Sequence, residues 1–427
     1  MKLKRLFGNK EVRNAGWLIG GRVVQMALSL VVGIITARYL GPSNYGLISY
    51  GNAFVAFFTS LCTLGLNSTM VKELMDRPDG QGETLGTAMA MRTVASFLSM
   101  AVILGIVAVI DAGEPLTVTV VALCALGLVF RTFETFNFWF QSRYQSKVTA
   151  VVTLIAYVAT SVYKIVLLIA GRDVRWFALA TSFDYVVVAL GLWIAYRRHG
   201  GARLRVSAGR AGRMLGVSYH YILASLMVAI YGQTDKLMLK QMMDEAAVGH
   251  YATAVSICTM WTFVLQAIID SVYPTILQLK KTDQTAYERK NRQLYAIVFY
   301  VACGVSVLFL LLGEPVVEIL YGKAYLPAAG VLKMVTWYTA FSFLGVARNA
   351  WIVSEGCQRY LKYMYGVAAV LNVALNCLLI PLWGAVGAAA ASLITQIATS
   401  ILLPLCFRPR RPNAKMMIDA ICLRGLR

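Results

Sequence analysis

Apolar residues run along this chain in stretches of about twenty, and polar residues gather in the short gaps between them. Crossing the ~30 Å hydrocarbon core of a bilayer takes about 20 apolar residues at ~1.5 Å rise each. The stretches predict twelve spanning helices. The first six cover Ala15–Ala37, Gly46–Leu66, Leu85–Ile110, Leu116–Phe136, Val148–Ala170 and Trp176–Tyr196. The second six cover Met214–Gly232, Thr253–Pro274, Leu294–Leu312, Val331–Ile352, Tyr365–Trp383 and Gly387–Phe407. Helices are expected because hydrocarbon offers no partner for an unpaired backbone N–H or C=O. The predicted fold class is all-α, a polytopic membrane protein.

Composition agrees: 59% of the 427 residues are hydrophobic and 14% are charged. Charge adds a direction. With the N-terminus inside, 28 of the 40 Lys and Arg residues fall on cytoplasmic segments, 7 on the opposite side and five within spans. Positive charge is retained on the cytoplasmic side, so both termini are expected there. The formal charge of +20 then reads as a topogenic signal. It is not the footprint of a nucleic-acid binder, because the basic segments are short, tied to the membrane and free of RNA- or DNA-binding motifs. The first apolar stretch is long enough to span and lacks a small-residue cleavage site, which predicts a retained helix. The eight cysteines show no C-x-x-C pair and the three histidines are scattered, so neither a disulfide framework nor a metal site is expected.

The most basic loop, Arg197 to Arg213, holds six arginines and no acid. It divides the chain into an N-terminal lobe (1–200), a cytoplasmic linker (201–213), a C-terminal lobe (214–407) and a cytoplasmic tail (408–427). Six crossings return the chain to its starting side, so a duplication would relate two six-helix lobes by a pseudo-two-fold along the membrane normal. An echo supports it: Tyr45-Gly46-Leu47-Ile48-Ser49-Tyr50 opens the second span, and Val248-Gly249-His250-Tyr251-Ala252-Thr253 opens the eighth, 203 residues later. In the tail, Met416, Met417, Ile418, Ile421 and Leu423 alternate with Lys415, Asp419 and Arg424. That segment reads either as an amphipathic helix on the inner leaflet or as a frayed end.

Eight charges fall inside the predicted spans. Each central charge costs roughly 2.5–3.5 kcal/mol on an insertion scale, so such residues face a protein interior or a wet cavity. Arg22 and Arg92 each lie ~10 Å from the cytoplasmic end of a span, and Arg131 ~8 Å. Three cations at similar depth in one half suit an anionic group, because Arg forks make bidentate contacts with phosphate. The competing reading for each is a local partner or a snorkelling side chain, and for Arg131 that partner is Glu134 at i+3. Lys164 and Asp184 sit at matching heights on sequential helices and are expected to form an ion pair. Arg348 and Asp270 lie near the cytoplasmic ends of their spans. Asp235 ends the seventh span as an ion-coupling group or a helix cap. The substrate-binding candidates are therefore Arg22, Arg92, Arg131, Lys164 and Arg348. The coupling or gating candidates are Asp235, Asp270, Glu134 and Asp184. The excess of in-span cations over acids favours an anionic cargo over a cationic drug.

No nucleotide-binding P-loop occurs, so a built-in ATP motor is not expected. Neither a large extracytoplasmic loop nor an Asp-x-Asp motif is present, which disfavours a glycan polymerase or a metal-dependent glycosyltransferase. The chain is not expected to be an enzyme.

Five segments carry a resemblance. Ala37-Arg38-Tyr39-Leu40-Gly41-Pro42-Ser43-Asn44-Tyr45-Gly46 resembles the first extracytoplasmic loop of the Wzx-type polysaccharide flippases, a branch of the multidrug/oligosaccharidyl-lipid/polysaccharide exporter superfamily. Trp139-Phe140-Gln141, with Tyr144-Gln145-Ser146, is similar to the segment leaving their fourth span. Tyr231, Asp235, Met238 and Leu239, then Val248-Gly249-x-Tyr251-x-x-Ala254, resemble the seventh-to-eighth junction. Leu320-Tyr321-Gly322-Lys323-x-Tyr325 with Ala328-Ala329 resembles the loop before the tenth span. Asn372, Asn376, Ile380-Pro381 and Gly384-x-x-Gly387-Ala388-Ala389 resemble the eleventh and twelfth. The resemblance implies a two-lobed transporter of the bacterial inner membrane. Its central cavity would carry an undecaprenyl-diphosphate-type lipid-linked oligosaccharide for O-antigen, capsule or exopolysaccharide, alongside other glycan-assembly proteins. It implies no cofactor, with a proton or sodium gradient as a candidate drive. A MurJ-like lipid II flippase and a multidrug/cation antiporter are the alternatives within the superfamily.

Overall fold

The computed structural model describes residues 10–357 and 360–425, without the side chains at 10–24, 27, 68, 224 and 362. Among the described residues, ten helices are long and apolar enough to cross a membrane. They are α1 (Leu28–Cys62), α2 (Pro78–Ile110), α3 (Pro115–Ser142), α4 (Ser146–Ile169), α5 (Val174–Arg198), α6 (Ala208–Met242), α7 (Glu245–Thr282), α8 (Gln284–Tyr321), α9 (Ala328–Ser354) and α10 (Tyr363–Cys406). Among the described residues there is no strand.

The difference from twelve predicted spans has a local cause. The helix containing α1 runs from Lys10, and it breaks at Gly41, where φ is 72° and ψ is 170°, just before Pro42. α10 breaks likewise at Gly384, with φ 57° and ψ −133°, shortly after Pro381. Glycine enters these conformations without the Cβ clash that other residues meet. Each broken helix therefore contains two of the predicted spans. Outward faces stay apolar, as lipid contact demands: Ile169, Val109 and Leu311 are all largely exposed. This is a multi-pass membrane protein.

The chain divides into two units. Unit 1 comprises Met1–Leu40 with Leu47–Ala229, and unit 2 comprises Gly41–Gly46 with Ile230–Arg427. The core of unit 1 is aromatic: Phe136 stacks on Tyr196 at 4.4 Å and Trp139 meets the same ring edge-on at 4.8 Å. Trp139 Nε1 and Arg143 Nη2 both donate to Gln81 Oε1 at 3.0 Å. The Trp139-Phe140-Gln141 segment is thus a structural clasp. The basic linker lies along α2, where Arg205 N donates to Gly82 O at 3.2 Å and Arg210 pairs with Glu83 at 3.3 Å.

Unit 2 settles the tail. Residues Arg411–Ile421 form a helix, α11. Its Met416, Met417 and Ala420 enter the core cluster that holds Tyr287, Tyr295, Leu344 and Trp351. The apolar face of α11 therefore has protein as its partner, and the tail is not frayed. Met417 is fully buried. Met417→Ala is expected to cost ~3 kcal/mol through lost burial and the cavity left behind. Hydrogen exchange across residues 411–421 checks this, and protection equal to that of the parent chain would contradict it.

The two glycines of the sequence echo, Gly46 and Gly249, make matching close approaches within unit 2. A Cβ at Gly46 would fall 1.8 Å from the Glu245 carbonyl oxygen, and one at Gly249 would fall 2.1 Å from the Pro42 carbonyl oxygen. Each contact is the image of the other under the 203-residue offset.

Candidate functional site

Arg92 and Arg131 come together in unit 1. A 3-10 turn over Arg131–Glu134 interrupts α3. In such a turn residues i and i+3 eclipse, so Arg131 and Glu134 are brought side by side. Arg131 Nε meets Glu134 Oε2 at 3.2 Å. Its Nη1 donates to Thr59 Oγ1 at 2.8 Å, and its guanidinium lies 5.2 Å over the Tyr185 ring. Arg92, 3% exposed, donates through Nη1 to Thr135 Oγ1 at 2.9 Å. Its Nε has no partner among the described residues. Arg131 and Glu134 both act electrostatically on Arg92. Arg131 holds the ion pair with Glu134, while Arg92 has no ion pair among the described residues and keeps an unused buried donor. Chemically the cluster is suited to an oxyanion.

The other in-span candidates distribute differently. Arg22 lies on the first helix, and its side chain is outside the described residues. Lys164 and Asp184 act on one another across α4 and α5. Among the described residues no direct ion pair joins them; Asp184 Oδ1 accepts from Thr160 Oγ1 at 3.1 Å instead. Asp270 is exposed and accepts from Gln266 Nε2 at 2.8 Å. Arg348 belongs to unit 2, whereas Arg92 and Arg131 belong to unit 1.

A second polar cluster, in unit 2, surrounds Asp235, which is 5% exposed. Tyr251 Oη and Ser392 Oγ each donate to Asp235 Oδ2 at 2.5 Å, and Asn376 Nδ2 donates to Oδ1 at 2.7 Å. Asn376 Nδ2 also reaches Asn372 Oδ1 at 3.2 Å, and Asn372 Nδ2 reaches Ser392 Oγ at 3.3 Å. These groups come from α6, α7 and α10, where a carboxylate inside apolar helices survives only with such a ring of donors. Asn376 Oδ1 is buried without a partner among the described residues. A carboxylate beside amide and hydroxyl oxygens is a hard donor set, fit for a proton or an alkali cation. Asp235, Tyr251, Asn372 and Asn376 lie in segments that carried the family resemblance. Ser392 carried no signal of its own, because one serine in an apolar helix gives none.

Comparison with known proteins decides the family. The profile of a family described as polysaccharide biosynthesis protein matches residues 35–330. The chain belongs to that family. The resemblance read from the sequence is met, and membership covers both the Arg92–Arg131 and the Asp235 segments. No curated protein matches the chain in sequence. Solved structures share its fold. A lipid II flippase, MurJ, in an inward closed conformation gives a TM-score of 0.73 at 13% identity, covering 95% of this chain and 91% of that one. An inward-facing multidrug resistance MATE family transporter of the MOP superfamily gives 0.68 at 15% identity, covering 92% and 96%. An outward-facing conformation of a MATE family transporter gives 0.59 at 16% identity, covering 96% of each chain. At these identities the likeness establishes the two-lobed transporter fold and not the cargo.

Proposed function

We propose that this protein flips a polyprenyl-diphosphate-linked oligosaccharide repeat unit, destined for O-antigen, capsule or exopolysaccharide, across the bacterial inner membrane by alternating access. Both termini are cytoplasmic in this reading, and other glycan-assembly proteins supply and consume the cargo. The carrying observation is the Arg92–Arg131 pair, a buried guanidinium without a carboxylate in an ion pair beside a half-buried one, in a member of the polysaccharide biosynthesis family. The diphosphate is the part of the cargo it would hold. A cationic drug would be repelled there, which argues against an antiporter of the MATE type. Asp235 would take the coupling ion, a proton or sodium, with Asn372 and Asn376 oxygens beside it. The protein acts as a transporter and not as an enzyme.

The double variant Arg92→Gln, Arg131→Gln tests the reading in a strain lacking the native gene. A hydrogen bond to a charged group contributes about 1.5–3 kcal/mol, so removing both forks is expected to lower surface glycan by about tenfold or more. Arg92→Lys keeps the charge but loses the fork, and partial export is expected from it. Surface glycan at the parental level in the double variant would overturn the assignment. The fold shared with MurJ favours one second reading, in which the oligosaccharide is that of lipid II. Lysis on depletion of the protein, instead of loss of a surface polymer, would select it.

A further inference from the structure

Beyond the donor ring of Asp235, a line of polar side chains continues between α6 and α10 within unit 2. Ser392, Gln396 and Ser400 recur every four residues on α10, which places them on one face of that helix. All three are buried. On α6 the facing groups are Asp235 and Tyr231, also four residues apart. Two rungs join the helices. Ser392 Oγ donates to Asp235 Oδ2 at 2.5 Å, and one turn along, Tyr231 Oη donates to Gln396 Oε1 at 2.5 Å. The Gln396 amide is fixed from its other end as well. Its Nε2 donates to Ser400 Oγ at 3.1 Å and to the Phe341 carbonyl of α9 at 3.5 Å. Ser400 Oγ donates to the same carbonyl at 2.9 Å. With both amide protons directed that way, the amide oxygen faces Tyr231. Gly345 on α9 makes the room, because a Cβ there would fall 3.3 Å from Gln396 Nε2 and 3.6 Å from Ser400 Oγ. One glutamine therefore ties α10 to α6 and to α9.

The backbone of α10 gives this tie its importance. Gly384 breaks the helix on one side of Ser392, and a π-helical turn over Ala398–Leu402 interrupts it on the other. A π turn departs from the i→i−4 ladder, and such turns are frequent at functional sites. Here Arg348 Nη1 takes up the Thr399 carbonyl at 2.9 Å. Residues 385–397 are thus a short helical rod whose rotation about its axis is not dictated by regular helix at either end. That rotation decides whether Ser392 Oγ points at Asp235. Apolar contacts tolerate several rotations, whereas a hydrogen bond weakens steeply away from its own distance and angle. The Tyr231–Gln396 rung is therefore the directional constraint on the rod, one turn from the carboxylate.

We propose that Gln396, together with Tyr231, is a positioning residue of the coupling site: the rung holds the rod in the rotation at which Ser392 completes the set of groups around Asp235. This assignment rests on Asp235 being the group that takes the coupling ion. Neither Gln396 nor Tyr231 touches that ion, and both act through Ser392. Breaking the rung leaves Asp235 with Tyr251 on α7 and Asn376 on the other part of α10, and loosens the Ser392 side alone.

The test titrates the thermal midpoint of the full chain in detergent. One arm adds sodium chloride balanced by choline chloride, and the other changes pH in choline chloride alone. An ion that binds the folded protein raises the midpoint, and the half-saturating point reports its affinity. The parent chain is expected to respond to one of the two probes, and Asp235→Asn to neither. Tyr231→Phe and Gln396→Leu are each expected to displace half-saturation by about three- to tenfold in ion concentration, the factor one hydrogen bond supplies. For sodium the displacement is toward higher concentration. Because both changes remove the same rung, the double variant is expected to move no further than Gln396→Leu alone. Should Gln396→Leu fold poorly, Tyr231→Phe removes a single oxygen and carries the test. Met417→Ala, whose core cluster contains neither rung residue, lowers the midpoint without displacing half-saturation, and so separates plain destabilisation from positioning. Lowered midpoints with half-saturation equal to that of the parent, in both rung variants, would overturn the assignment and leave Asp235 as the ion group. A parent chain that answers neither probe, or an Asp235→Asn variant that still responds, would overturn the ion role of Asp235 and this assignment with it.

Discussion

Asp235→Ala is expected to destabilise the protein by about 4 kcal/mol and to abolish export. The first effect follows from counting partners. Tyr251, Ser392 and Asn376 all direct donors at this one carboxylate, at 2.5, 2.5 and 2.7 Å. Alanine leaves three buried donors without their acceptor, and each stranded polar group costs about 1–3 kcal/mol. Partial rearrangement, such as the Asn372–Ser392 contact taking over, keeps the total below the simple sum. The second effect is separable. Asp235→Asn preserves the shape and one acceptor oxygen but cannot hold a proton or balance a cation. Its midpoint is expected to fall by less than half as much as that of the alanine variant, while export is lost just as fully. Thermal unfolding of purified variants and surface-glycan assay in the deletion strain check both parts. Export that survives Asp235→Asn would remove the coupling role and leave a structural one.

Asp235 also marks where sequence reading stops. The helical, membrane-spanning fold was legible because apolar stretches of spanning length have few other uses. The segments holding Asp235, Tyr251, Asn372 and Asn376 were legible as family segments. Their convergence was not, because α6, α7 and α10 approach through tertiary packing and no spacing in the chain encodes it. The depth argument found Arg92 and Arg131 together because both lie on helices of unit 1 at matching heights. For Arg348, which sequence placed near the cytoplasmic end of a C-terminal-lobe span, depth left the partner open, and the structure gives it the Thr399 carbonyl instead of a snorkelling position. The expected Lys164–Asp184 pair failed for a related reason: equal height does not fix the angle around each helix, and Thr160, on α4 with Lys164, reaches the carboxylate first. Alternation in the tail left an amphipathic helix on the inner leaflet and a frayed end both open; the segment is a helix, and its apolar face meets the core beside Tyr295.

The duplication signal leads to the other large effect. Gly249→Ala is expected to cost at least ~3 kcal/mol, the upper end of the overpacking range. The new methyl would lie 2.1 Å from Pro42 O, 2.9 Å from Pro42 C and 3.2 Å from Pro42 Cα. All three are backbone atoms, so no rotamer change relieves the clash and the two segments must separate. Gly46→Ala meets the same obstacle from the other side, 1.8 Å from Glu245 O and 2.9 Å from Gly249 N. Small residues at helix crossings in membranes serve this close approach, where dispersion and not the hydrophobic effect holds helices together. Because one separation accommodates both methyls, the double variant is expected to cost clearly less than the sum of the singles, a coupling that marks shared contacts. Gly304 provides the control: nothing lies within 4 Å of a Cβ there, and it sits inside α8. Gly304→Ala is expected to be neutral or to gain about 0.5–1 kcal/mol from helix propensity. Thermal midpoints of the four variants in one detergent decide the matter. Strict additivity of Gly46→Ala and Gly249→Ala would mean that the two glycines do not report on one shared approach.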